Sequence, residues 1–154
     1  MSSRASSRPK VEVVNSQKYV RISDNKIAAI AEYVIGKEKP KARNLSILVC
    51  DDRRIRDLHK KYLKKDSATD VISFGMPARH AKSEDAHLGD VVVSAQTAKR
   101  VCKSFGQTAK DEVLRYVVHG ILHLVGYDDH SKKDYELMFR TQEKHLRDFL
   151  KSKS

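Results

Sequence analysis

Two histidines four residues apart, His119 and His123, stand in an apolar stretch of the chain, HGILHLVGYDDH, residues 119–130. On an α-helix such a pair shares one face, so both imidazoles converge on a single point. That is the spacing by which a helix supplies two corners of a tetrahedral zinc site; a third ligand must come from elsewhere, and catalysis needs the fourth corner open to water. Val117, Val118, Ile121, Leu122 and Leu124 surround the pair, and imidazoles in apolar surroundings need partners. Gly126 suits the left-handed turn that ends a helix, and such a turn swings Asp128, Asp129 and His130 back towards the histidines. Asp129 and His130 are both competent zinc ligands.

Position 120 narrows the chemistry. HExxH peptidases place their general-base Glu directly after the first histidine; this chain has Gly120. A zinc ion lowers the pKa of the water it holds to roughly 7, so hydrolysis stays open without that Glu while peptide hydrolysis becomes the poorer reading. Around the core pair, Asp128 either orients a ligating imidazole or caps the turn. Ser73 either lines the cleft or belongs to a turn, and Asp70 and Asp90 divide between loop capping and site support. His59, His80, His87 and His145 read as surface or loop histidines without a role. Cys50 and Cys102 are isolated, which suggests neither a disulfide framework nor a thiolate metal site and fits a reducing, cytoplasmic setting.

The elements that must hold these residues follow from periodicity. Val11 to Val14 predicts a strand, and Ser23–Asp24 caps a helix with Ile27, Ile30, Ala31 and Val34 on one face, ended by Gly36. Leu45 to Cys50 predicts a second strand, and Asp51–Asp52 open a helix to about Lys65. Thr69–Phe74 and Leu88–Ser94 predict two more strands around a turn-rich loop, followed by a helix over Ser94–Lys103. Thr108 or Asp111 starts the histidine helix, and a last helix spans about Ser131 to Leu150. The order lacks strict βαβ alternation, so the expected class is α+β: a small mixed sheet of about four strands flanked by helices. Residues 1–9 are expected to form a disordered basic tail without a secretory signal, and residues 10–150 a single domain.

Charge points to the partner. Lys and Arg number 31 against 20 Asp and Glu, a formal net charge of +11, which favours a polyanion, nucleic acid before membrane. No apolar run approaches the roughly 20 residues of a membrane span.

Four motifs then carry a resemblance. HGILHLVGYDDH resembles the HGxLHLxGYDH signature of the YbeY family of bacterial and organellar endoribonucleases. KDSATDVISF (65–74) resembles that family's KDxPTDVLSFP, LGDVVVS (88–94) its LGDIxIS, and MFRTQE (138–143) its MFxLQE. They occur in the expected order from about residue 45 to the end. The resemblance implies one zinc-type ion in a cleft and hydrolysis of single-stranded RNA. It further implies a role in ribosomal RNA maturation, notably at the small-subunit 3′ end, and in ribosome quality control.

The chain departs from the pattern in three places. An extra Asp gives GYDDH: counting six positions on from His123 reaches Asp129, and nine further reaches Met138, the family's interval, whereas residue identity favours His130 across a one-residue bulge. The ungapped register takes Asp129. The family's Arg after the Tyr of NxxYR is here Leu63, with His59 in place of the Asn. Lys64 or Lys65 would then contact RNA, though an ammonium does not replace a bidentate guanidinium. Finally, SFP has become Ser73-Phe74-Gly75, a change of loop shape. Two rivals remain: a non-catalytic ribosome-assembly factor with a structural metal, and a metallopeptidase, since HxxxHxxG followed by His or Asp resembles the metzincin zinc helix.

Overall fold

The computed structural model describes residues 8–63, 69–75 and 86–152. Its strands are β1 (Val11–Asn15), β2 (Asn44–Cys50), β3 (Val71–Gly75) and β4 (His87–Ser94), hydrogen-bonded in the order β1-β2-β4-β3. β1 and β4 lie parallel to β2, and β3 runs antiparallel to β4. The helices are α1 (Asp24–Glu38), α2 (Asp52–Leu63), α3 (Ala95–Cys102), α4 (Ala109–Leu124) and α5 (Lys132–Ser152). The expected α+β class and four-stranded mixed sheet are what the chain forms.

The helices divide unequally between the faces of the sheet. α1, α4 and α5 bury their apolar stripes in one core with Leu45, Ile47, Val91 and Val93 from the strands. α2 meets the other face through a small cluster of Ile55, Cys50, Ile72 and Val92. There burial, followed by the charge of Asp51, pushes the Cys50 thiol up to about 12, which leaves it inert at neutral pH.

One helix boundary differs from expectation. Gly36 does not end α1, which continues to Glu38 and closes on Lys39 in the left-handed conformation at φ 52°. The reason is tertiary: Glu38 is held by Tyr127 and His145, and those bonds draw the last turn onto the body of the protein. α2 is described as far as Leu63; its expected end at about Lys65 falls on residues outside the described ones, as do Lys64, residues 1–7 and His80. Arg8, assigned to the tail, pairs with Glu32 at 2.7 Å.

α4 is the element that positions the site. Val113, Leu114, Val117, Val118, Ile121 and Leu122 are fully buried, and the helix packs on α1, α3, α5, β3 and β4. It comes close to the sheet at Gly120, where an added Cβ would sit 2.6 Å from Val91 Cγ1 and 3.1 Å from Ser73 Oγ. The Ser73 hydroxyl donates to the Gly120 carbonyl at 2.9 Å, tying β3 to the helix turn between the two histidines. At the far end of the sheet, Asp52 accepts from Ser94 Oγ at 2.6 Å, Thr97 Oγ1 at 2.5 Å and Arg100 Nη1 at 2.8 Å. Burial alone would raise this carboxyl, but the three donors outweigh it and hold it below its ordinary value. Among the described residues, no helix is long and apolar enough to cross a membrane.

Two expectations follow. Gly120→Ala gains roughly 1 kcal/mol of helix propensity but overpacks a stiff, buried contact at a cost of about 1–3 kcal/mol. Urea unfolding should therefore show a net loss on the order of 1 kcal/mol. Because the folded Asp52 is depressed below its unfolded value of about 3.9, its contribution is complete above that value and is lost as pH falls through the lower folded one. The stability gap between the wild type and Asp52→Asn should be widest near neutrality and narrow towards pH 3.

Candidate metal centre

Thr108 caps α4 by accepting from the Asp111 amide at 3.1 Å, and His119 and His123 project from the last turns of that helix. Their rings lie 4.8 Å apart between centroids, nearly perpendicular at 79°. The helix then ends in a Schellman turn: the Gly126 amide reaches the His123 carbonyl at 3.2 Å, the Tyr127 amide reaches the Leu122 carbonyl at 3.0 Å, and Gly126 takes φ +115°. This double bond is the αL termination that glycine makes accessible, and it folds the chain back over the helix end.

The returning segment brings Asp129 to the histidines. One side-chain donor atom from each of His119, His123 and Asp129 lies within 4.8 Å of the others, with Asp129 Oδ2 3.9 Å from His123 Nε2. The His130 side chain is 89% exposed, its Nδ1 3.8 Å from Asp128. Asp128 also accepts from the His130 amide at 3.2 Å, so it shapes the turn, and a different residue meets the first imidazole.

That residue is Gln142 on α5, buried at 6% exposure, with Oε1 2.7 Å from His119 Nδ1. Its amide donates to Glu143 Oε2 at 2.9 Å, which fixes the amide orientation and makes Oε1 the acceptor. His119 therefore carries its proton on Nδ1 and presents the Nε2 lone pair. Glu143 is anchored in turn by Arg115 through Nε at 2.8 Å and Nη2 at 3.0 Å. Burial alone would raise the Glu143 carboxyl; the Arg115 and Gln142 donors outweigh it and keep it ionised. Burial first, and then the facing His119, hold His123 below its ordinary value against the opposing pull of Asp129, so this imidazole too offers a lone pair.

A second support holds the turn itself. Tyr127 donates to Glu38 Oε1 at 3.0 Å, and Glu38 Oε2 lies 2.7 Å from His145 Nε2. His145, read from the sequence as a surface histidine, is buried at 9% exposure with its ring edge-on to Tyr33. The correction has a plain cause: the first and last helices meet there, and the carboxylate satisfies the imidazole that they enclose. Glu38, Gln142 and His145 drew no sequence assignment, although Gln142 falls inside the MFRTQE motif.

The donor set opens on a cleft of about 900 Å³ lined by His59, Leu63, Ser73, His119, His123 and Asp129, among others. Leu63 thus borders the cleft at the position where the motif resemblance expects Arg. Two neutral imidazole nitrogens and a carboxylate suit a divalent ion of zinc type. Bonds of roughly 2.0–2.2 Å ask the atoms to close in, and Asp129, with a side chain 41% exposed, is free to move. Replacing Gln142 by Leu removes the acceptor that sets the His119 tautomer. Competition against a chromogenic chelator should then show zinc affinity falling by about 10–100-fold, with the urea midpoint changing far less.

Comparison with known proteins agrees in detail. The family model described as Endoribonuclease YbeY matches residues 12–150. A protein from Aquifex aeolicus named Endoribonuclease YbeY is 37% identical over 90% of this chain and 91% of its own length. Another of that name from Petrotoga mobilis is 34% identical over 94% and 98%. A solution structure of a Thermotoga maritima protein shares the fold at a TM-score of 0.59 and 24% identity, covering 88% of this chain and 86% of that one. With residues 12–150 matched by the family model and relatives at 34–37% identity over at least 90% of its length, the chain belongs to the YbeY family.

Proposed function

We propose that this chain is a single-strand-specific, metal-dependent endoribonuclease of ribosomal RNA processing, acting in maturation of the small-subunit 3′ end and in ribosome quality control in the cytoplasm. In this reading residues 10–150 form its one domain, residues 1–9 a basic tail, and one zinc ion is its cofactor. The observation that carries the reading is the convergence of His119, His123 and Asp129 on one cleft in a chain of net charge +11 from a family named for RNA cleavage.

His119, His123 and Asp129 would hold the ion, with His130 the lesser choice because its ring stands in water. A divalent ion held there would supply Lewis acidity, which lowers the pKa of bound water and polarises a phosphate oxygen. Gln142 keeps the Nδ1 proton of His119 in place, so the lone pair on Nε2 always faces the cleft. Ser73 holds the helix turn between the histidines, and Asp128 holds the turn that carries Asp129. Arg53, Arg54, Lys60 and Lys61 are exposed along α2 and gather the phosphate backbone; Lys64 and Lys65, next in the sequence, would add their charge to the RNA contact. Gly120 leaves no place for a peptidase-type Glu, since Val91 fills the space beside its Cα.

One observation favours a second reading. Leu63 lines the cleft at the position of the family's Arg, which would suit a non-catalytic ribosome-assembly factor with a structural metal. The purified protein, offered single-stranded RNA and casein with and without chelator, separates the readings. RNA should be cut internally and casein left intact, with cleavage falling to background in chelator or in His119→Ala. Inertness towards both substrates together with tight ribosome binding would establish the assembly role instead.

A further inference from the structure

A second cavity adjoins the metal cleft on the other side of His119. It holds about 530 Å³, within the roughly 300–1,000 Å³ typical of small-molecule sites, and the two hollows share Asp70, Val71 and His119 as a common wall. Tyr135 and Phe139, one turn apart on α5, line it with their rings stacked at 6.1 Å and 17°. They stand 52% and 47% exposed, so their faces are available to a ligand. Buried Met138 and Tyr116 also line the cavity.

We propose that this cavity is a nucleobase pocket that takes a base flanking the RNA phosphate held at His119, His123 and Asp129; this rests on the ribonuclease reading given above. The lining's charge decides which part of a nucleotide belongs there. In a chain of net charge +11, Arg115 is the single cation among the described lining residues; it is paired with Glu112 and Glu143, and Asp70 adds a third carboxylate. An excess of carboxylates repels phosphate, whereas a neutral base stacks on the aromatic pair. Carboxylate oxygens also accept from exocyclic amino groups. The shared wall puts the pocket and the metal cleft side by side, which is where a strand with its backbone in the cleft must send an adjacent base. Phe139 lies within the motif MFRTQE and Tyr135 one turn before it on the same helix face.

The test is kinetic, on a single-stranded RNA with one cleavage site and on copies carrying an abasic ribose at each flanking position. Base–aromatic stacking amounts to roughly a 5- to 150-fold effect per base. Tyr135→Ala with Phe139→Ala should therefore raise KM by about that factor, with kcat and zinc affinity nearly unchanged. Tyr135→Trp should retain wild-type KM, and Tyr135→Leu should not. On one abasic substrate the wild type should fall to the level of the double variant, which loses nothing further there. As a second reading, 2-aminopurine at that position should change fluorescence on binding the wild type and not the double variant. Equal losses on intact and abasic RNA, or wild-type KM in the double variant, would overturn the pocket while leaving the ribonuclease reading intact. Failure of the wild type to bind RNA at all would overturn both.

Discussion

α4 can lie close enough to β4 for its histidines to stand above the sheet edge only because residue 120 has no side chain. The contact with Val91 leaves no room for a methyl group, and the Ser73 hydroxyl fills the remaining polar need by capturing the Gly120 carbonyl. Helix depth then sets everything after it: the height of the imidazoles, the level at which the Schellman turn closes, and the path of Tyr127, Asp128 and Asp129. Packing interiors tolerate little change in volume, so a contact of this kind works as a stop that fixes the helix in one place.

Electrostatics completes what packing begins. His119 is oriented by a chain of bonds running from Gln142 through Glu143 to Arg115 and Glu112, in which each buried charge meets an opposite one. A half-satisfied network of this kind would cost more than an apolar replacement. Here the charged partners meet one another, and the network holds the His119 imidazole in one tautomer. Tyr127, Glu38 and His145 do the same for the turn, joining helices from opposite ends of the sequence.

Much of this was legible in the residues. The four-apart histidines, the glycine turn and the register from His123 to Asp129 are local relations, and periodicity reports local relations faithfully. Asp129 was the ungapped choice; its Oδ2 lies 3.9 Å from His123 Nε2, while the more exposed His130 borders the same cleft. What escaped is non-local. Gln142 meets His119 across 23 residues and His145 meets Glu38 across 107, and no spacing rule connects such pairs. The end of α1 failed for the same reason: Gly36 reads as a stop by propensity, but tertiary bonds to Glu38 override it. The motif match pointed at MFRTQE without saying why Gln stands there.

All three donor residues come from one continuous stretch, residues 119–129. The site therefore closes only a short loop, inside a scaffold whose core is assembled from α1, α4, α5 and the sheet. In zinc fingers the ion joins segments that have no other reason to meet, and binding and folding are a single event. Here the two processes would be separable: the core stands on its own apolar contacts, and an ion bound at this stretch would add stability only in proportion to its occupancy. A fold of this kind would stand complete with the site empty, and a metal taken up there would bind a structure already formed.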